Sequence, residues 1–333
     1  MKYIDLFGGI GGFRYGVEQA TEEEWECVWY NDYDKYAVQT YNKNYGTNYK
    51  PTDITKVKTE DIPDHDCICG GFPCQTFSIA GKRKGFEDIR GTMFFEIMRI
   101  AKAKGTKYLF LENVKGLLNH NKGKTFTTII QTLEELGYKT QWMVLNSKFF
   151  GVPQNRERVF IIANLRGTSR PEILPIGEDA TEISRVYEIK GITNIYSKSF
   201  GEKNVFDVKG ILNTLKVGED IPMVMNLQTR SKDRPSYRNA IDAGLPAPGG
   251  AGTICKEDEA YCLDPQCGQG VVSGTETPGQ LRRLTPLECE RLQGFPDNWT
   301  EGVSNTQRYR QCGNAVTTNV IEAIVRSWES NKK

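Results

Sequence analysis

Lys2-Tyr3-Ile4-Asp5-Leu6-Phe7-Gly8-Gly9-Ile10-Gly11-Gly12-Phe13 stands near the start of the chain. An apolar stretch of strand length breaks at paired glycines and reopens with helical spacing, which predicts a strand from Tyr3 to Phe7, a glycine turn and a helix from about Phe13 to Ala20. Working outward, the alternation repeats. Cys27–Tyr30 reads as strand and Tyr33–Asn44 as helix. Asp66–Cys69 is a strand, Met93–Ala103 a helix with Phe94, Ile97, Met98 and Ala101 on one face, and Tyr108–Leu111 a further strand. Thr125–Leu136 repeats the amphipathic pattern through Ile129, Ile130, Leu133 and Leu136, and Val159–Ala163 is again apolar. Strands alternating with helices predict an α/β fold, a doubly wound, mostly parallel sheet. In such sheets ligands bind at the carboxyl ends of the strands.

The rhythm stops near Leu165. From there to about Gln280 the chain is rich in Gly, Pro, Asn and Lys, with short β-like pieces and a loop at Pro246–Gly252. This predicts a second, smaller, irregular β-rich domain. A last helix over about Thr317–Glu329 carries Val320, Ile321, Ile324, Val325 and Trp328 on one side and is expected to return to the first sheet. The expected division is 1–180, 181–307 and 308–333. With 333 residues the chain has room for both domains, and 38% hydrophobic and 26% charged residues are ordinary for a globular protein. The net charge of +1 announces no nucleic-acid binder, so an anionic partner would have to be met by a local basic surface. Nine cysteines without repeated close pairing argue for reduced thiols, and Cys255, Cys262 and Cys267 lack the spacing of common zinc sites, so no metal is expected. The N-terminus enters a strand directly, without a signal peptide, and no apolar run is long enough for a bilayer, which predicts a cytoplasmic protein with no membrane partner.

Three sets of residues carry chemistry. The first is Cys67-Ile68-Cys69-Gly70-Gly71-Phe72-Pro73-Cys74-Gln75-Thr76-Phe77-Ser78, where a buried strand gives way to a tight loop and leaves Cys74 at the sheet edge. Glu112 of Leu111-Glu112-Asn113-Val114 ends another strand, so a thiol and a carboxylate could act on one bound molecule. With only His65 and His120 in the chain, a Cys-His pair is disfavoured. The second is the glycine loop, with Asp32 after the second strand and Asp53 farther on. Asp32 stands where a carboxylate meets ribose hydroxyls, and Asp53 could meet an adenine amine. The loop does not match G-x-G-x-x-G and has no partner for a pyrophosphate, so S-adenosylmethionine fits better than a dinucleotide. The third is basic. Arg156 and Arg158 in Gln154-Asn155-Arg156-Glu157-Arg158 are either a surface salt-bridge pair or a clamp aimed into the cleft. Lys82, Arg83, Lys84 and Arg90, with three glycines, form either a solvated loop or a lid over a polyanion.

In these motifs and their order the chain resembles the DNA (cytosine-5)-methyltransferase family. The resemblance rests on Asp5–Gly12, Gly71–Gln75, Glu112–Val114, Gln154–Arg158, Arg283–Pro296 and Gln311–Asn314. It implies a Rossmann-like, S-adenosylmethionine-dependent catalytic domain and places a variable target-recognition domain at about Leu165–Gln280. It implies Cys74 as the nucleophile that adds to cytosine C6, with Glu112, Arg156 and Arg158 beside it. Glu112, protonated through burial, would bind cytosine N3, and Arg158 would hold O2. Phe7, Gly8, Gly9, Ile10, Gly11, Gly12, Asp32, Tyr33, Asp53, Ile54, Gly71, Pro73, Asn314 and Val316 would contact the cofactor, which leaves as S-adenosylhomocysteine. Gln75, Ser78, Lys82, Arg83, Lys84 and Arg90 would face double-stranded DNA, with the target base flipped out. The compact length implies a monomeric, nucleoid-associated modification enzyme of a prokaryote or phage, with possible pairing to a restriction endonuclease. A tRNA cytosine-5 methyltransferase, which shares Pro-Cys-Gln and Glu-Asn-Val, is the alternative.

Overall fold

The structure is a computed structural model. It describes residues 1–21, 24–73, 93–169, 173, 176 and 284–331, together with the backbone of short strands between 194 and 283. The chain divides into two compact units. The first comprises 1–145, 157–178 and 320–333, the second 146–156 and 179–319.

In the first unit, β1 (Lys2–Leu6), β2 (Glu26–Asn31), β3 (Cys67–Gly71), β4 (Tyr108–Val114), β5 (Tyr138–Asn146) and β7 (Glu157–Leu165) lie in the order β2-β1-β3-β4-β7-β5. The pairings β1·β2, β1·β3 and β3·β4 are parallel and β4·β7 is antiparallel. The mostly parallel, doubly wound expectation is met, with one antiparallel insertion. β1 has a neighbour on each side, so the chain winds one way through β2 and back through β3, which opens the ligand crevice of such sheets beyond the carboxyl ends of β1 and β3.

Central strands read as nearly continuous apolar runs because both faces are covered. Ile4, Leu6, Ile68, Leu109, Leu111, Val159 and Ile161 meet Phe94, Ile97, Met98 and Ala101 of α3 (Met93–Lys104) and Ile129 and Leu133 of α4 (Lys124–Glu135) in one core. The helix α1 (Gly12–Thr21) buries Phe13 and Val17, and Phe13 packs edge-on to Phe110 at 5.0 Å. Asp34 caps α2 (Lys35–Tyr45), accepting from the amides of Tyr36 and Ala37, and Gly46 ends that helix in the left-handed conformation. The last helix of the chain, α7 (Thr318–Ser330), carries Trp328 edge-on to Trp25 at 5.2 Å and to Tyr108 at 5.3 Å, while Trp25 donates to Glu329.

The second unit holds the two-residue β6 (Gln154–Asn155), paired in parallel with β12 (Ala260–Tyr261), and the hairpin pair β8 (Asn194–Ile195) and β9 (Val205–Phe206). β10 (Met223–Asn226), β11 (Cys255–Lys256), β13 (Gln269–Ser273) and β14 (Gln280–Arg283) form an antiparallel sheet in the order β11-β10-β13-β14. The helix α5 (Pro286–Leu292) opens with a capping box, the Thr285 hydroxyl on the Glu288 amide and the Glu288 carboxylate on the Thr285 amide, with proline in its first turn. After it comes α6 (Asn305–Asn314). Gln311–Asn314 form the last turn of α6.

Candidate active site

β3 and β4 pair so that Gly71 faces Glu112. A Cβ on Gly71 would stand 3.0 Å from Oε2 of Glu112, so glycine lets the carboxylate lie against the end of the neighbouring strand. Glu112 is 8% exposed. Its Oε1 lies 3.0 Å from Nε of Arg158, which stands two residues from the β7 partner of Glu112, Phe160. Arg158 also donates to the carbonyl of its neighbour Glu157 at 2.8 Å. The sequence expects a buried Glu112, and the structure places the Arg158 guanidinium beside it in the same pocket.

Asn113 completes this edge. Its Nδ2 donates to the carbonyl of Phe72 at 2.7 Å and its Oδ1 accepts from the amide of Val114 at 2.9 Å, and both residues of the first bond are buried. Strand β4 thus grips the chain at the residue before the exposed Pro73. Cys74, Gln75, Ser78, Lys82, Arg83, Lys84 and Arg90 lie outside the described residues.

The glycine loop occupies the carboxyl end of β1. Phe7, Gly9 and Gly11 all have positive φ, at 55°, 54° and 87°. Gly9 has open space where a Cβ would stand, so its backbone can be approached closely. Its amide donates to Oδ2 of Asp32 at 2.9 Å, and Oδ1 of Asp32 accepts from the Asp34 amide at 2.8 Å. Burial pushes the Asp32 carboxyl up, and these amide bonds draw it back down. With the Tyr33 amide also on this carboxylate, acceptor capacity remains for a hydroxyl. Tyr33, 71% exposed, follows it with an aromatic face open to stacking. Asp53 is exposed and uses Oδ1 to accept from the amide and hydroxyl of Thr55. A glycine cradle, a hydroxyl acceptor, an exposed ring and an exposed carboxylate together fit an adenosine-bearing cofactor. Ile10 and Ile54 are buried, the latter in the core, and Gly12 opens α1.

The two neighbouring arginines diverge. Arg158 belongs to the first unit and Arg156 to the second. The cause is local: the Arg156 amide donates to the Gln154 carbonyl at 2.9 Å and to Oδ1 of Asn146 at 3.1 Å, and that turn breaks the strand between β6 and β7. Arg156 is 2% exposed, and its guanidinium ends on backbone carbonyls of Gly313 and Ala315. Asn314, exposed, and Val316, buried, lie in the same unit.

Two residues have roles that sequence reasoning missed. Asn113 carries no charge, and its bond to Phe72 crosses between strands, so only register reveals it. Asp5 sits fully buried with neither carboxylate oxygen hydrogen-bonded, directly beneath the loop: a Cβ on Gly8 would come within 2.6 Å of its carboxylate. Burial pushes the Asp5 carboxyl up to about 8, against the pull of Arg14. A carboxylate in an apolar strand of a parallel sheet was the available signal.

The sequence profile of the family described as C-5 cytosine-specific DNA methylase matches residues 1–330. The type II methyltransferase M.NlaX of Neisseria lactamica is 39% identical over 99% of this chain and 96% of its own length. M.HhaI of Haemophilus parahaemolyticus is 36% identical over 97% and 93% respectively. Among solved structures, the S. pombe Dnmt2 methyltransferase superposes with a TM-score of 0.69 at 21% identity, covering 100% of both chains, a likeness of fold alone. The chain therefore belongs to the C-5 cytosine-specific DNA methylases, enzymes that methylate DNA cytosine from S-adenosylmethionine.

Proposed function

We propose that this enzyme methylates a flipped-out cytosine within one short duplex sequence through a covalent bond from Cys74 to ring carbon C6. The observation that carries the reading is the pairing of Gly71 with Glu112, tied by the bond from Asn113 to Phe72. It supports a thiol two residues after Phe72 working on the same base as the carboxylate.

Cytosine C5 is a weak nucleophile while its ring is conjugated. Addition of the Cys74 thiolate at C6 pushes electron density to C5, which then takes the methyl group; loss of the C5 proton expels the thiolate and restores the ring. S-adenosylmethionine supplies the electrophilic methyl on its sulfonium. Glu112 donates to N3 as negative charge builds there. Its pairing with Arg158 holds the carboxylate in place in the free enzyme, and it takes a proton from water as the base enters and covers it. Arg158 then turns a donor to O2. Phe7–Gly12, Asp32, Tyr33 and Asp53 would hold the cofactor, and Asn314 and Val316 would contact it. Neither C5 nor C6 is reachable inside a stacked duplex, so the base leaves the helix at a cost of a few kcal/mol. Gln75, Ser78 and the basic residues up to Arg90 meet the DNA. The type II methyltransferase relatives support a restriction-modification role beside a cognate endonuclease. A monomer suffices for this chemistry.

Bisulfite sequencing of plasmid treated with enzyme and S-adenosylmethionine tests the reading. Protection of one cytosine in a recurring short sequence is expected, and plasmid without protected cytosines would refute it. Cys74→Ala is expected to abolish protection while duplex binding persists.

A further inference from the structure

We propose that Arg156 is a positioning residue, not a substrate contact: its guanidinium caps the last turn of α6 and thereby sets Asn314 for the cofactor. The inference rests on the reading of Asn314 as a cofactor contact. The last four carbonyls of a helix have no partner within it. In α6 the Gln311 carbonyl accepts from the Ala315 amide at 3.0 Å. The Cys312 carbonyl accepts from Nε2 of Gln293 at 2.9 Å. Arg156 takes the carbonyls on both sides of Asn314: Nη1 and Nη2 each donate to Gly313 at 3.2 Å, and Nη2 donates to Ala315 at 2.6 Å. A planar fork can hold two carbonyls at once, and its positive charge suits the negative end of the helix dipole. Asn314 is left with its neighbours pinned and its own side chain exposed.

The cap is itself held at its root. The Arg156 carbonyl accepts from the Ser147 amide at 3.0 Å and from its hydroxyl at 3.3 Å. Ser147 meets the Thr317 hydroxyl at 2.8 Å, and Thr317 donates to Oε1 of Gln293 at 2.9 Å. Ser147, Arg156, Gln293 and Thr317 are all buried. A buried network with this many bonds has one geometry, and the exposed product of that geometry is Asn314.

The test compares Arg156→Lys, Asn314→Ala and the double variant in the full chain, reading the cofactor Kd by calorimetry, kcat at saturating cofactor and DNA, and thermal melting. Lysine keeps the charge and loses the fork. Arg156→Lys and Asn314→Ala are each expected to weaken S-adenosylmethionine binding about tenfold with kcat within about twofold, and the double variant to be no weaker than either single one. A kcat drop with unchanged Kd in Arg156→Lys would make it a substrate contact and overturn the proposal. So would additive losses in the double variant. An unchanged Kd in Asn314→Ala alone removes the underlying reading and the inference with it. If Arg156→Lys melts out, Ser147→Ala loosens the same cap from its root. It is expected to raise Kd without moving kcat, and an unmoved Kd there counts against the cap.

Discussion

Replacing Asp5 with asparagine should change how stability depends on pH. The Asp5 carboxyl is fully buried and its oxygens have no hydrogen-bond partners, which pushes it up to about 8 in the folded enzyme. In the unfolded chain an aspartate ionises at about 4. Folding thus raises its proton affinity, and the folded state keeps a proton that the unfolded chain loses above about pH 4. The stabilising contribution of the neutral carboxyl is complete below that pH and disappears as pH rises to about 8. At about 1.4 kcal/mol per pH unit, the loss between pH 5 and 8 is about 4 kcal/mol. With an unfolding entropy of about 2 cal/mol/K per residue, this corresponds to about 5–10 °C in Tm, depending on whether the units melt together. Asp5→Asn removes the titration and leaves a neutral group in the same partnerless site, as the protonated carboxyl is. The variant should therefore gain on wild type by about 4 kcal/mol between pH 5 and pH 8. The assay is thermal melting of cofactor-free wild type and variant across that range, and the difference between the two curves cancels the titrating groups that do not feel Asp5. Parallel curves would refute the reasoning, because they would show that Asp5 does not hold its proton.

Three further outcomes follow from geometry. Gly11→Ala would set a Cβ 2.4 Å from the Tyr45 ring at φ +87°, and strain of this kind costs about 1–3 kcal/mol before the clash is counted, so a lowered Tm and weakened cofactor binding are expected by melting and calorimetry. Asn113→Ala leaves the buried Phe72 carbonyl without its donor, at about 1–3 kcal/mol, and should lower kcat more than it raises the Kd for cofactor in steady-state and binding assays. Glu112→Gln keeps the shape and cannot pass a proton to the base. Methyl transfer should fall at least about 100-fold with circular dichroism unchanged, measured by tritium incorporation into DNA.

Much of the first unit was legible because a sheet covered on both faces writes its strands as apolar runs. β3 and β4, Cys67–Gly71 and Tyr108–Val114, were visible for that reason, and so were the helices whose faces meet them. β5 was not. Tyr138-Lys139-Thr140-Gln141-Trp142 mixes polar and aromatic residues because the strand ends the sheet, with Trp142 half exposed and propped against Phe126 at 4.9 Å. Glu112 stood out as a carboxylate closing an apolar run. Residue types and spacing left Arg156 and Arg158 as either a surface pair or a clamp, with no sign that they part. The break at Arg156 that separates them is made by Asn146, ten residues upstream, and spacing alone carries no trace of it. The helix α6 was missed because Asn305–Asn314 is almost wholly polar and its C-terminal carbonyls are capped by Arg156 and Gln293, which lie apart from it in sequence.

The central claim is a bond between one sulfur and one ring carbon. A duplex carrying 5-fluorocytosine at the target cytosine, incubated with enzyme and S-adenosylmethionine, tests it, because fluorine at C5 cannot leave as a proton and the adduct persists. The account predicts a denaturant-stable complex whose crosslinked peptide maps to Cys74. An enzyme that methylates the same site in ordinary duplex yet leaves this one free, or links through another residue, would contradict it.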